Sequence, residues 1–429
     1  MSKSVGFAHP DFQVKKMNLS KIINKKEWAS DYMVDEITHI IKTFERRDPG
    51  SKGEKDACEY MAEVLEKDCG CDEVKVESFK VHPVAFYGWA FFSASFVLAA
   101  ILSFFFFPAL SIVFVIAAFA AVILEFGVYK KVLDRFFKEK TSHNVTAIKK
   151  CKGETKRRIV FNGHPDAVWE WPVNYAFGGV CFEGHMVSVV VAALFYAVIS
   201  IWYIIKNGIG FGVADTSDIV VKVGLWGLIF VPFTIGLYFI VNYRRVVDGA
   251  NDNLSGCYMG ISILKALKDE GVELENTEIA VILTGSEECG LRGSKAWCEM
   301  HEGEFKDVPT IFYAYDTIYD PKFLMANYRD LNGTVKADKE LCDFFIQAAT
   351  EIDVPCKKGW VPPFGGACDS AAFTQAGYRA AGITGLNHKI ERYYHTRLDS
   401  YDNMNKEGLG NCFAASVKAL EMFDNGKMD

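Results

Sequence analysis

Two apolar blocks, residues 85–129 and 186–243, constrain this 429-residue chain more than any other feature. A helix needs about 20 apolar residues to cross the hydrocarbon core of a bilayer. Residues 85–107 meet that length, and residues 109–129 meet it again beyond Pro108, with Glu125 near the end. Residues 186–205 and 219–243 form a second pair around a short loop carrying Asp215 and Asp218. Helices in the core of a soluble protein seldom run so far without a charge, so the lengths predict four membrane-spanning helices in two hairpins.

A hairpin returns the chain to the side it left, so all the hydrophilic sequence is expected on one face of the bilayer. That face is flanked by Lys80, Lys130, Lys131, Arg135, Arg244 and Arg245, whereas the far side offers Lys206 and Lys222. Lysine and arginine collect on the cytoplasmic side, which predicts a multi-pass integral membrane protein with its polar part in the cytoplasm. Twelve cysteines without a secretory leader or small-scaffold spacing agree, reading as free thiols in a reducing compartment. The amino-terminal sequence has no apolar h-region, so no cleavable signal is expected. A formal charge of -7 and the lack of a long basic cluster give no sign of a nucleic-acid partner.

The remaining sequence reads as a soluble α/β protein. Helical periodicity over residues 31–67 breaks at Asp48-Pro49-Gly50, and strands are expected at 75–82, 144–150, 156–164, 277–288 and 310–316. Amphipathic helices fall at 256–271 and near 338–352. Strands alternating with helices imply a mixed central sheet sandwiched by helices, with functional residues at the carboxyl ends of the strands. The expected organisation is an amino-terminal segment (1–29), a catalytic domain in three parts (30–83, 131–184 and 244–429), and membrane hairpins at 84–130 and 185–243.

Five candidate metal ligands stand at strand ends or loop starts: His164, Asp252, Glu288, Asp316 and His395. Each alone has a dull explanation, such as a turn, an N-cap or a solvated helix start. Together, two histidines and three carboxylates suit two divalent ions if one carboxylate bridges them. Such a pair acidifies a bound water, and a free carboxylate is then needed to take the proton and pass it to the leaving group. Glu287, beside a ligand, is that spare acid.

The ordered motifs resemble the co-catalytic zinc aminopeptidases, metallopeptidase family twenty-eight, whose relatives include glutamate carboxypeptidase and glutaminyl cyclase. The chain carries His164-Pro-Asp166, Asp252-Asn253-Leu-Ser255-Gly256, Glu287-Glu288-Cys-Gly290-Leu-Arg-Gly293-Ser294, Asp316 at a strand end, and His395-Thr396-Arg-Leu-Asp399, in the family's order. Cys368-Asp369-Ser370 resembles the family's Ser-Asp-His segment without its histidine. The resemblance implies an aminopeptidase-type fold, peptide substrates and two Zn2+ per chain. Asp252 would bridge the ions, His164 and Asp316 would hold one, Glu288 and His395 the other, and Glu287 would be the general base. Asp166 would orient His164, and Tyr394 stands where some members keep a phenol for the oxyanion.

This chain departs from the family in the two hairpins, which sit in loops of one domain and would hold it on the membrane. Residues 169–179, Trp-Glu-Trp-Pro-Val-Asn-Tyr-Ala-Phe-Gly-Gly, run from the His164 turn towards a membrane helix and read either as a pocket wall or as an interfacial aromatic belt. Competing readings are a single-zinc acyltransferase like glutaminyl cyclase, a catalytically inactive scaffold, and carboxypeptidase or amidohydrolase action. The absence of an arginine cluster for a substrate carboxylate favours the aminopeptidase.

Overall fold

The computed structural model describes residues 17–212, 214–387 and 389–428. The first 16 residues of the expected amino-terminal segment lie outside this range. Helix Lys26–Thr43 already begins within that segment and packs on the catalytic domain.

Eight strands form one mixed sheet: β1 (Glu73–Val81), β2 (Lys140–Lys149), β3 (Arg157–Gly163), β4 (Thr277–Thr284), β5 (Thr310–Ile318), β6 (Leu324–Asn327), β7 (Lys357–Gly359) and β8 (Arg379–Gly385). Their order is β1-β2-β4-β3-β5-β8-β6-β7. The centre, β4-β3-β5-β8, is parallel, while β1 and β2 pair antiparallel at one edge. All eight residues of β4 are buried, as expected of a central strand covered on both faces.

Helices Lys26–Thr43, Ser255–Asp269, Lys339–Thr350 and Lys406–Asp424 cover one face through the largest apolar core. On the other face Trp297, from helix Arg292–Met300, packs with Phe312, Phe373 and Tyr378. Gly163 lets β3 run close to helix Ser255–Asp269, since a Cβ there would fall 2.4 Å from the Cys257 nitrogen. The carboxyl ends of β3, β4 and β5 therefore open beside the amino end of that helix.

Both apolar blocks form helical hairpins. Three of their helices are long and apolar enough to cross a membrane: Pro108–Gly127, Gly179–Asn207 and Ile219–Phe239. The expected fourth is shorter. Helix Gly88–Phe104 has 17 residues, about 26 Å at 1.5 Å per residue, against a hydrocarbon core of about 30 Å. Its apolar stretch is shortened at both ends: Ala85–Tyr87 form turns buried against the catalytic domain, and Phe105–Phe107 turn before Pro108. Ile219–Phe239 alternates α and 3-10 turns around Pro232, where proline removes a helix donor. Asn242 and Tyr243 leave the apolar run for a short strand, Asn242–Val246, paired with Trp169–Glu170.

The hairpins pack on one another through small residues such as Ala90, Ala94, Ala192 and Ala193. Their outer faces expose Leu102, Ile116, Val198, Ile205, Ile229 and Phe239. Exposed apolar faces of this extent mark an interaction surface, for a membrane or for another protein.

Candidate metal centre

The six candidate residues converge where β3, β4 and β5 end. His164 follows β3, Asp316 lies on β5, and Glu287 and Glu288 occupy a tight turn after β4. Asp252 comes from the kinked Ala250–Leu254 segment before helix Ser255–Asp269, and His395 from the loop after β8.

Donor atoms of His164, Glu287 and Asp316 lie within 4.8 Å of one another, and so do those of Asp252, Glu288 and His395. Asp252 faces both histidines with different oxygens: Oδ1 is 3.4 Å from His164 Nε2 and Oδ2 is 3.1 Å from His395 Nε2. Glu288 Oε2 is 3.5 Å from His395 Nε2, and Glu287 Oε2 is 3.6 Å from His164 Nε2.

The local sequence explains this convergence. Asp166 accepts hydrogen bonds from the backbone N–H groups of Glu287 (3.1 Å) and Glu288 (3.0 Å), and its carboxylate is 3.4 Å from His164 Nδ1. It thus ties the first motif to the third. Asp399 accepts from the N–H groups of Asn251 (2.8 Å) and Asp252 (3.1 Å), tying the fifth to the second. Asn253 donates to the Tyr315 carbonyl (2.8 Å), and Ser255 Oγ accepts from the Ile318 N–H (3.0 Å), fixing the Asp252 segment to β5. Gly293 is required where the motif passes Gly285, because a Cβ would stand 2.0 Å from the Gly285 oxygen. Ser286, Leu291, Thr317 and His395 hold positive φ without being glycine. Such backbone costs of order 1–3 kcal/mol each and persists where the surroundings over-determine it.

Two groups that no motif announced complete the scaffold. The buried Arg47 guanidinium donates to the carbonyls of Pro165 (2.9 Å) and Asp248 (2.5 Å), joining the His164 and Asp252 turns. Buried Glu54 accepts from Ser142 Oγ, Ser286 Oγ and the Gly50 N–H, holding the residue before Glu287. Tyr394 stacks on His395 with ring centroids 4.0 Å apart. Trp171 meets His395 edge-on at 4.3 Å and stacks on Phe182 of the apolar helix Gly179–Asn207. Of the aromatic segment 169–179, Trp171 thus stands against the metal centre.

The electrostatics are those of a cation site. Burial pushes Glu287 and Glu288 well above the usual carboxylate range, and neighbouring acids push them further. Burial, then the Asp252 charge, raises Asp316 to about 8. Asp252 goes the other way: burial opposes it, but the His164 and His395 imidazoles hold it low. His164 Nε2 and Glu288 Oε1 are sealed from solvent without a hydrogen-bond partner among the described residues, a state that costs about 1–3 kcal/mol per group. Two histidines and four carboxylates with orphaned donor atoms fit zinc.

Residues 237–420 match the profile of peptidase family M28. The structure is similar to an aminopeptidase from Aneurinibacillus sp. strain AM-1 (TM-score 0.55, 15% identity, 94% of this chain and 96% of that one). It is similar to a zinc aminopeptidase from Bacillus subtilis (TM-score 0.53, 17% identity, 90% and 94%). It also resembles a Bacteroides thetaiotaomicron glutaminyl cyclase (TM-score 0.50, 13% identity, 93% and 97%). At these identities the likeness establishes the fold. No curated protein sequence matches the chain.

Proposed function

We propose that this chain is a membrane-bound zinc metallopeptidase that removes residues from the amino ends of peptides. The observation that carries the reading is Asp252, with one oxygen towards each of two donor groups in which His164 Nε2 and Glu288 Oε1 are sealed and unpartnered among the described residues. His164 and Asp316 would hold one zinc, Glu288 and His395 the other, and Asp252 both. Bound zinc would supply a Lewis acid for the scissile carbonyl and lower the pKa of a water.

The chain's own groups do the rest. Glu287 takes the proton from the attacking water at its carboxylate and delivers it to the leaving nitrogen. Asp166 keeps Glu287 and Glu288 in register through their backbone N–H groups and sets the His164 ring through Nδ1. Tyr394, stacked on His395, donates a hydrogen bond from its phenol to the developing oxyanion. Three apolar helices with outward-facing aliphatic side chains support anchorage in a bilayer, with the catalytic domain on the cytoplasmic side by the charge bias of its flanks.

A single-zinc acyltransferase of the glutaminyl-cyclase kind is the second reading, favoured by that structural likeness and by the closed Asp252, Glu288, His395 group. Metal analysis of purified protein separates them: two zinc ions per chain support the peptidase, and one ion held by Asp252, Glu288 and His395 supports the cyclase.

A further inference from the structure

The first membrane hairpin does more than anchor the catalytic domain. It returns from the membrane directly against the Glu287–Leu291 turn. Phe86, at its start, packs so closely on Gly290 that a Cβ there would lie 2.8 Å from the ring. Tyr129, at its end, meets Phe86 edge-on at 4.9 Å and packs beside Leu291. Lys295 Nζ bridges the carbonyls of Tyr129 (2.9 Å) and Gly290 (3.3 Å). Tyr129 itself is held at φ +52°, a left-handed conformation unusual for a bulky residue.

The phenol is left free by these contacts. Among the described residues the Tyr129 hydroxyl has no hydrogen-bond partner, although its backbone and ring are fixed. It points towards the Gly365-Gly366 loop, since a Cβ on Gly366 would stand 3.9 Å from it. Asn332 ties that loop to the same hairpin end, donating to the Phe126 carbonyl (2.7 Å) and accepting from the Gly366 N–H (3.0 Å). Burial and the charges of Glu287 and Asp330 keep the phenol protonated. Two phenols therefore flank the centre: Tyr394 stacked on His395, and Tyr129 beside the Glu287 turn.

We propose that Tyr129, supplied by the membrane hairpin, is a substrate-binding residue that hydrogen-bonds the peptide backbone on the leaving side of the cleaved bond. This rests on the peptidase reading, in which Glu287 hands its proton to the leaving nitrogen. A phenol beside the Glu287 turn faces the chain that departs with that nitrogen. The hairpin thereby makes the site selective for peptides over small amides.

The test compares wild type with Tyr129→Phe, which keeps the ring and its packing, on a leucine-headed tetrapeptide and on leucine p-nitroanilide. The anilide has no backbone on its leaving side. Loss of one neutral hydrogen bond is expected to lower kcat/KM on the peptide about three- to tenfold, while the anilide rate and the zinc content stay unchanged. Equal losses on both substrates, or none on the peptide, overturn the assignment while leaving the peptidase reading intact. Wild-type protein that carries zinc yet cleaves neither substrate overturns the peptidase reading, and this assignment with it.

Discussion

Removing Arg292 should uncouple the catalytic turn from the membrane, and the structure gives the size of the effect. This guanidinium is 5% exposed. It donates to the Cys289 carbonyl (3.1 Å), to both oxygens of Asp134 (2.9 Å each) and to Glu125 Oε1 (3.1 Å) near the end of the apolar helix Pro108–Gly127. Glu125 is 1% exposed, and its other oxygen accepts the N–H groups of Val132 and Leu133. Arg292→Met leaves Asp134 partly in reach of water but strands the Glu125 carboxylate. Breaking a buried pair from one side costs about 3–5 kcal/mol. Adding Glu125→Gln removes the stranded charge and should recover a large part of that loss, because residues in one network couple by about 0.5–3 kcal/mol. Thermal unfolding of the detergent-solubilised protein reads both steps. An Arg292→Met variant as stable as wild type, or a double variant no better than the single, would refute the clamp.

Other predictions follow from the metal centre and the hairpins. Glu287→Gln should keep its zinc and its fold yet lose about 10²–10⁴-fold in turnover, and a variant keeping most of its rate removes Glu287 from the base role. Asp252→Ala should deplete zinc at both positions, which metal analysis of the purified variant reads directly; two tightly held ions would contradict the bridge. In metal-stripped protein, burial raises Asp316 to about 8, Asp399 to about 7 and Asp369 to about 6, whereas unfolded aspartates titrate near about 3.9. The folded site then holds protons that the unfolded chain has released, so stability should fall as pH rises from about 4 to 8; a chelated sample whose melting temperature rises across that range would contradict this. A cysteine introduced at exposed Asp215 should react with an impermeant thiol reagent outside intact cells while Cys151 stays protected, and the reverse pattern would invert the topology.

Much of this candidate site was legible because two of its motifs join a candidate ligand to a residue that fixes the site. His164-Pro-Asp166 contains both a donor and the carboxylate that anchors Glu287 and Glu288, and Asp399 does the same for Asp252. Local spacing carries such information. Arg47 and Glu54 were not legible, because the carbonyls and hydroxyls they satisfy stand far away in sequence: Pro165, Asp248 and Ser286. Their positions have no local signature, and only the fold brings the partners together. Tyr129 was hidden for another reason, since the end of an apolar run gives no sign of which wall it will build.

The hairpins were legible in number and order but not in detail. Apolar length identifies a run, yet it does not reveal that Phe86 and Tyr87 leave the first helix to pack under the catalytic turn. Cys289 is fully buried whereas Cys151 is partly exposed, so Cys151 is the native cysteine suited to report on the catalytic face.

The most direct test of the central claim is digestion of an unblocked peptide library by purified, zinc-loaded protein, with products read by mass spectrometry. The expected result is stepwise loss of single residues from the amino end, abolished by a chelator, restored by zinc and absent on acetylated peptides. Cleavage that ignores the chelator, begins at the carboxyl end, or leaves every peptide intact except for cyclisation of an amino-terminal glutamine would contradict it.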